Sequence, residues 1–458
     1  MQIRETWQRA FSSFLAVPSL VIVIFVLTAV GSYSLEQADT GWLRPPRDFM
    51  KSHVFGDPAA TSTLLGTIAA GVITITSITF SLLLLALQQS AGSLTHQVFD
   101  QFLRRRSNQI YFGFFVGMTL YALITLATVN PPYNPVLGAT LALVLALVSL
   151  YLLLLLIYST INQMRPTEII RRIHDHTLDA RERQLVVIRR TQRTSEITEG
   201  SMVPVNASSD GFIGEIGLDA IDAAINDASA RAEVVFLVSI GTYVAFEDEI
   251  AQIRTERGED AERIAESVER ATQIDRERNL DSDPAYGIEQ LVTIAWRSIS
   301  TSQQNPSPGV ATINNLRDLL ARWSTEDEAS DETLLPIVYP DNVMARLFGA
   351  FESLAVVASE AMQHQTYAAL VQGFATTFDR LPLQEQLRTE DLLLRSLSAL
   401  GDHVMSAELD AALTGMAGTL ERSGRYSSAA AIQTAQSTLA KSIGTLNSRA
   451  TRVPTPGQ

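Results

Sequence analysis

Four long stretches of this chain contain no Asp, Glu, Lys, Arg or His, and they constrain the fold more than any other feature. They cover approximately 14–35, 62–87, 109–129 and 136–161. At 1.5 Å rise per residue each can cross a hydrocarbon core of about 30 Å. In that medium a spanning segment must satisfy its own backbone, which selects helices. The expected fold class is membrane α-helical with four transmembrane helices, plus a cytoplasmic α+β part made of a small β-rich module and an irregular helical domain. The first run carries Ala29-Val30-Gly31 behind Arg4 and Arg9, which resembles a signal-peptidase site. The run exceeds a usual h-region of about 7–15 residues, so it is expected to stay as an anchor.

Charge sets the orientation. The N-terminus, the loop holding Arg104, Arg105 and Arg106, and the segment after the fourth run supply ten basic residues. The opposite side has Arg44, Arg47 and Lys51 alone. Positive flanks stay inside, so both termini are expected in the cytoplasm of a multi-pass plasma (inner) membrane protein. Residues 36–60 then form an exposed loop. The third and fourth runs form a tight hairpin, turned by Asn130–Pro135, because proline cannot continue a helix.

Beyond the membrane part the composition changes. Up to Arg165 the net charge is +3, and the remainder carries −17 of the total −14. An acidic soluble part argues against nucleic-acid binding, which needs basic surface. The absence of cysteine removes disulfides, thiolate metal sites and thiol nucleophiles. The chain divides into a four-span domain over 1–165, a helical connector over 166–199, a β-rich module over 200–256, a helical domain over 257–450 and a tail over 451–458. Pro166 suits the first turn of the connector. The β-rich module is read from two β-branched, glycine-containing stretches flanking a short helix. EDAERIAESVERATQI is expected as a solvated helix, and amphipathic helices follow to about residue 447.

The second run holds an organised face. Thr63, Thr67, Ala70, Thr74, Ser77, Ser81 and Gln88 fall in one helical stripe, while Leu65, Ile68, Val72 and Leu83 lie opposite and read as lipid-facing. Small residues at this spacing let helices approach, and hydroxyls can bond across the contact. The same stripe in an oligomer could line a conduction path. The runs hold no ionisable group of the kind that coupled transporters use, which favours a passive pore or a non-transporting scaffold. SLTHQVFDQFL and the triplet Arg104–Arg106 suit an interfacial helix contacting anionic lipid. His174 and His176 are two apart on a helix and point to different sides, so they are not a metal pair. Asp281 and Asp283 beside proline read as turn and cap residues. No phosphate-binding glycine loop, G-x-S-x-G or H-E-x-x-H is present. No enzyme activity, cofactor or metal is expected.

Several segments together match a known pattern: LLGTIAAGVITITSITFSLLLLALQQS (Leu64–Ser90) with FLRRRSNQ (Phe102–Gln109), DGFI (Asp210–Ile213), IGTYV (Ile240–Val244) and RNLDSDPAYGIEQLVTIAWRSIS (Arg278–Ser300). Through them the chain resembles the prokaryotic predicted-membrane-protein family known as domain of unknown function 2254. The resemblance implies four spans, a cytoplasmic domain and no established activity. The chain departs from the pattern after Arg297, where Thr301, Gln304, Asn305 and Gly309 replace proline, asparagine, aspartate and alanine. Thr242 follows Gly241 where the pattern has aspartate, and Ser159 and Thr160 stand where it has histidines. Roles that need those acids or imidazoles are not expected here, while Pro306 and Pro308 keep the turn.

The function expected is an oligomeric passive channel or pore with a cytoplasmic regulatory domain. The alternative is a membrane-anchored scaffold without transport activity. The partners expected are the lipid bilayer, further copies of the chain and a cytoplasmic protein, with no nucleic acid.

Overall fold

The structure, a computed structural model, describes residues 15–38, 44–93, 106–131, 133–163, 165–197, 201–255, 260–300, 305–326, 334–402 and 405–442. The chain forms two compact units, Met1–Arg165 and Pro166–Gln458.

The first unit contains α1 (Ala16–Gln37), α2 (Arg44–His53), α3 (Pro58–Ser93), α4 (Arg106–Ala127) and α5 (Val136–Gln163). Among the described residues four segments are long and apolar enough to cross a membrane: Ala16–Gln37, Pro58–Leu82, Arg106–Ala127 and Val136–Thr160. Helix α3 runs 36 residues, about 54 Å at the usual rise. The stretch expected as an exposed loop over 36–60 instead contains α2. Pro45 and Pro46 fall in its first turn, where missing N–H groups cost least.

Two glycines on α4 let it lie close against α1. A Cβ on Gly113 would lie 2.9 Å from Pro18 Cα, and one on Gly117 would lie 2.6 Å from the Phe25 ring. Gly113-Phe-Phe-Val-Gly117 is a small-xxx-small pair, the pattern that lets helix backbones approach where no hydrophobic effect drives them together. Around this contact Phe25, Leu65, Val72, Met118, Tyr121, Val136 and Ala139 form the buried core. The expected hairpin of α4 and α5 is present, closed by a Tyr133 N–H donating to Asn130 O at 2.8 Å.

In the second unit α6 (Pro166–Arg190) is followed by β1 (Ser201–Asn206), β2 (Gly211–Ile216), α7 (Leu218–Asn226), β3 (Ala232–Phe236), β4 (Tyr243–Val244) and β5 (Glu249–Thr255). Next come α8 (Ala261–Ala271), β6 (Thr272–Asp275), α9 (Pro284–Ile299), α10 (Pro306–Trp323) and β7 (Ile337–Val338). The sheets have the orders β1-β5-β3-β7 and β4-β2-β6. All pairings are antiparallel except β3 with β7, which is parallel. Strands β6 and β7 come from the stretch read as helical, so the sheets draw on chain beyond residue 256.

The solvated helix expected at 259–274 differs in the same way. α8 buries Ala261, Ile264 and Val268 against the sheet core, a narrow apolar stripe that its many charges mask in the sequence. α6 packs on α9 and α10 and buries Ile169 and Ile173, while its Leu185 and Ile188 join the core of the sheets. The rest is helical, with α11 (Val343–Glu360), α12 (His364–Thr377), α13 (Leu383–Ser396), α14 (Ala407–Arg422) and α15 (Tyr426–Ser442).

Candidate functional site

The stripe on α3 faces outward from the membrane unit. Thr63, Thr67, Ala70, Thr74, Ser77 and Ser81 are all exposed, and a Cβ added to Gly66 or Gly71 would meet nothing within 4 Å. The side expected to face lipid is turned inward instead: Leu65, Ile68 and Val72 are buried, together with Ile75 and Thr79. Those apolar side chains fill the space beside α4 and α5 better than small hydroxyl residues would, and packing density decides the rotation. The side chains of Leu83 and Gln88 lie outside the described residues, although both positions belong to α3.

Four of the five hydroxyl groups of the stripe donate within their own helix. Thr63 Oγ1 donates to Ala59 O, Thr67 Oγ1 to Thr63 O and Thr74 Oγ1 to Ala70 O, each at 2.9 Å, and Ser81 Oγ donates to Ser77 O at 3.0 Å. Each donor is thus satisfied within the helix while oxygen lone pairs remain on the open face. Of the arginine triplet, Arg106 is exposed at the first position of α4. Arg104, Arg105 and most of SLTHQVFDQFL lie outside the described residues.

A second constellation lies just past Leu35, where the first uncharged run ends. α1 continues through Gln37, and Glu36 on its last turn has a fully buried side chain. Its Oε1 accepts from the Leu137 N–H at 3.2 Å, in the first turn of α5, and lies 3.8 Å from Arg47 Nε on α2. The positive end of α5 and the guanidinium both favour the carboxylate. Oε2 is buried without a hydrogen-bond partner among the described residues, as are Tyr133 Oη and Asn134 Oδ1 in the nearby turn. Burial, with the charges of Glu36 and Tyr33, pushes the Tyr133 hydroxyl up to about 12. The signal for Glu36 was available: Phe25, Ala29, Ser32 and Glu36 repeat at spacings of four, three and four, one buried face running past the apolar run.

In the second unit, two of the matched motifs meet at one corner. Asp283 caps α9 by accepting from the Tyr286 N–H at 3.0 Å, and it also accepts from Arg278 Nε at 2.7 Å. Its carboxylate fits against Gly241, whose φ is +84° and whose added Cβ would come within 1.9 Å of Asp283 Oδ2. Burial raises the Asp283 carboxyl above its ordinary value, against the pull of Arg278. Asp281 Oδ1 instead lies 3.2 Å from His176 Nδ1, while His174 Nε2 is 3.0 Å from Asp318 Oδ2. The two histidines therefore reach different elements, and no cluster of three His, Cys, Asp or Glu suited to a metal occurs among the described residues. A pocket of about 340 Å³ beside this corner is lined by Arg183, Gly214, Ile240, Asp275, Asn279 and Ser282, among others. A pocket of about 460 Å³ borders Arg181, Arg189, Arg322, Trp323 and Glu326.

Four apolar helices of spanning length, followed by a mostly helical unit with two small sheets, define a polytopic membrane protein. The chain belongs to the family described as predicted membrane protein, DUF2254, whose model matches residues 11–356. It is similar to uncharacterized proteins of Mycobacterium bovis and Mycobacterium tuberculosis, at 23% identity over 365 residues, covering 72% of this chain and 68% of each relative. No solved structure matches. The matched region ends within α11, so α12–α15 lie beyond it.

Proposed function

We propose that this protein acts as a homo-oligomer in the plasma (inner) membrane, with both termini in the cytoplasm, and that α3 of adjacent copies lines a passive path. One observation carries this reading: the stripe from Thr63 to Ser81 points away from its own bundle. Small side chains offer little surface for lipid but allow close approach of a second helix. With the hydroxyl donors held by backbone carbonyls, the exposed oxygens are acceptors, which suits a cation more than an anion. The acidic second unit, on the cytoplasmic side in this reading, would concentrate cations near the inner mouth and serve a regulatory role. Arg104–Arg106 would hold the end of α3 near anionic head groups. The reading assigns no catalysis and no cofactor.

Flux of monovalent cations into liposomes carrying the purified protein tests it. Thr74→Leu with Ser77→Leu is expected to abolish flux while leaving the fold intact, because both side chains face outward. Flux that persists unchanged in this variant removes the stripe as the path.

A membrane-anchored scaffold is the second reading, supported by exposed Leu383 and Leu387 one turn apart on α13 and by exposed Tyr426. It expects no flux, and a cytoplasmic protein partner whose binding is lost in Leu383→Glu with Leu387→Glu. Partner binding that survives both substitutions excludes this face.

A further inference from the structure

We propose that Glu36 is a proton-binding site of the membrane unit, taking its proton on Oε2 and exchanging it as α2 and the start of α5 engage or release the end of α1. Three observations converge on this carboxyl. Its side chain is fully buried, although an ionised carboxylate in a membrane domain is costly and is found where it has work to do. One oxygen is held, by the Leu137 N–H and the Arg47 guanidinium. The other has no partner among the described residues, and neither do Asn134 Oδ1 and Tyr133 Oη in the turn leading into α5. A carboxylate oxygen and an amide oxygen are acceptors only, so neither Oε2 nor Asn134 Oδ1 can satisfy the other. A bound proton supplies a donor.

The surrounding charges make the site unsuited to a metal ion, and because they also favour the ionised carboxylate the proton is placed on Oε2, the oxygen they do not hold. Arg47 approaches from α2, and the N-terminus of α5 brings its positive end, so a metal cation would be repelled from both directions. The other titratable neighbours are tyrosines: Tyr33 on α1, Tyr121 on α4 and Tyr133 in the turn. Asp48, Lys51 and Asp57 are exposed.

The exchange balances simply. A proton from water forms an O–H bond on Oε2, and the carboxylate becomes neutral. The Leu137 N–H then donates to an uncharged carbonyl oxygen, and the contact with Arg47 is no longer an ion pair. Charge-assisted hydrogen bonds are about twice as strong as neutral ones, so protonation loosens both attachments together. Glu36 thereby links the ionisation of one group to how firmly the 44–57 segment and the start of α5 hold the end of α1. This is independent of whether α3 lines a pore.

The test is infrared difference spectroscopy of the full-length protein in lipid, titrated between about pH 4 and pH 9, which brackets the range of buried carboxyls. A component of the carboxylic C=O band that grows on acidification is expected in the wild type and is expected to be missing from Glu36→Gln, whose other carboxyls keep theirs. Arg47→Gln keeps the carboxyl and is expected to move the midpoint of that band by at least about half a unit. The proposal is overturned if the wild type shows no such band, if Glu36→Gln retains it in full, or if Arg47→Gln leaves its midpoint in place. Should Glu36→Gln fail to fold, the Arg47→Gln titration decides alone.

Discussion

Arg181 holds Asp341 with two parallel hydrogen bonds, Nη1 to Oδ1 at 3.1 Å and Nη2 to Oδ2 at 2.8 Å, across 160 residues of sequence. Glu326 accepts from its Nε at 2.9 Å, Gln184 from its Nη1, and Trp323 lies with its ring centre 5.8 Å from the guanidinium carbon. Burial works against this charge, but the two carboxylates outweigh it and raise the Arg181 pKa. The arginine fastens α6 to the segments flanking the 327–333 stretch, which gives the second unit a charged centre among its packed helices.

Removing one partner of this centre is expected to cost more than replacing the set. Asp341→Ala leaves a buried guanidinium short of its bidentate acceptor and should destabilise the second unit by about 3 kcal/mol. Arg181→Met combined with Asp341→Leu and Glu326→Gln should recover part of that loss, since an apolar replacement leaves no unpaired charge. Thermal unfolding in detergent, followed by circular dichroism, compares the two variants. Equal losses would mean that the ion pair acts only through packing.

The glycines of the membrane unit should separate into two kinds. Gly117→Val places methyl groups inside the Phe25 contact and is expected to lower stability by about 1–3 kcal/mol through overpacking. Gly66→Ala and Gly71→Ala meet open space and should leave the stability of a single copy unchanged or slightly higher, because alanine favours the helix. Melting temperatures of the three variants in the same detergent decide the matter.

Gly241→Ala should be among the most damaging single substitutions in the second unit. Its backbone lies in the left-handed region, and the new methyl would strike the carboxylate that caps α9. Strain and displacement of Asp283 together are expected to cost at least about 2 kcal/mol. Asp283→Asn keeps the shape but loses the ion pair with Arg278, and should cost less. Urea unfolding monitored at the tryptophans would rank them, and a milder effect of Gly241→Ala would refute the geometry.

The acid side of the stability curve should depend on Ser229. Its hydroxyl and its N–H both donate to Asp260 Oδ2, at 2.5 and 2.7 Å, and hold the carboxyl below its ordinary value, with Arg263 helping. A folded-state value below the unfolded one stabilises at higher pH, and that contribution disappears as pH falls through the folded value. Ser229→Ala removes the hydroxyl donor, so the Asp260 titration should move up toward the ordinary range. Carbon-detected titration of labelled aspartate reads this shift directly; an unmoved Asp260 resonance would show that the hydroxyl contributes nothing.

The sequence by itself marked four uncharged runs of bilayer length and the turn between the third and fourth, because runs without charge and turn residues such as Pro131 and Pro135 act locally. It also placed the helices from Pro284 to Ser442, whose apolar residues recur at helical spacing. Four things needed the tertiary structure. The rotation of α3 was undetermined because Leu65–Val72 and Thr63–Thr74 are both uncharged faces that lipid tolerates, so only the fit against α4 and α5 turns the hydroxyls outward. The fate of Glu36 was hidden one residue past an apolar run, where a polar side chain reads as loop until α5 and Arg47 close over it. Strands β6 and β7 are too short to signal themselves, and β7 takes its strand character from Val234 and Val235 about 100 residues earlier. The buried edge of α8 was masked by its charges until the sheet supplied a surface for Ile264 and Val268. In each case the deciding energy is a long-range contact, and local composition carries no record of which side the partner will come from.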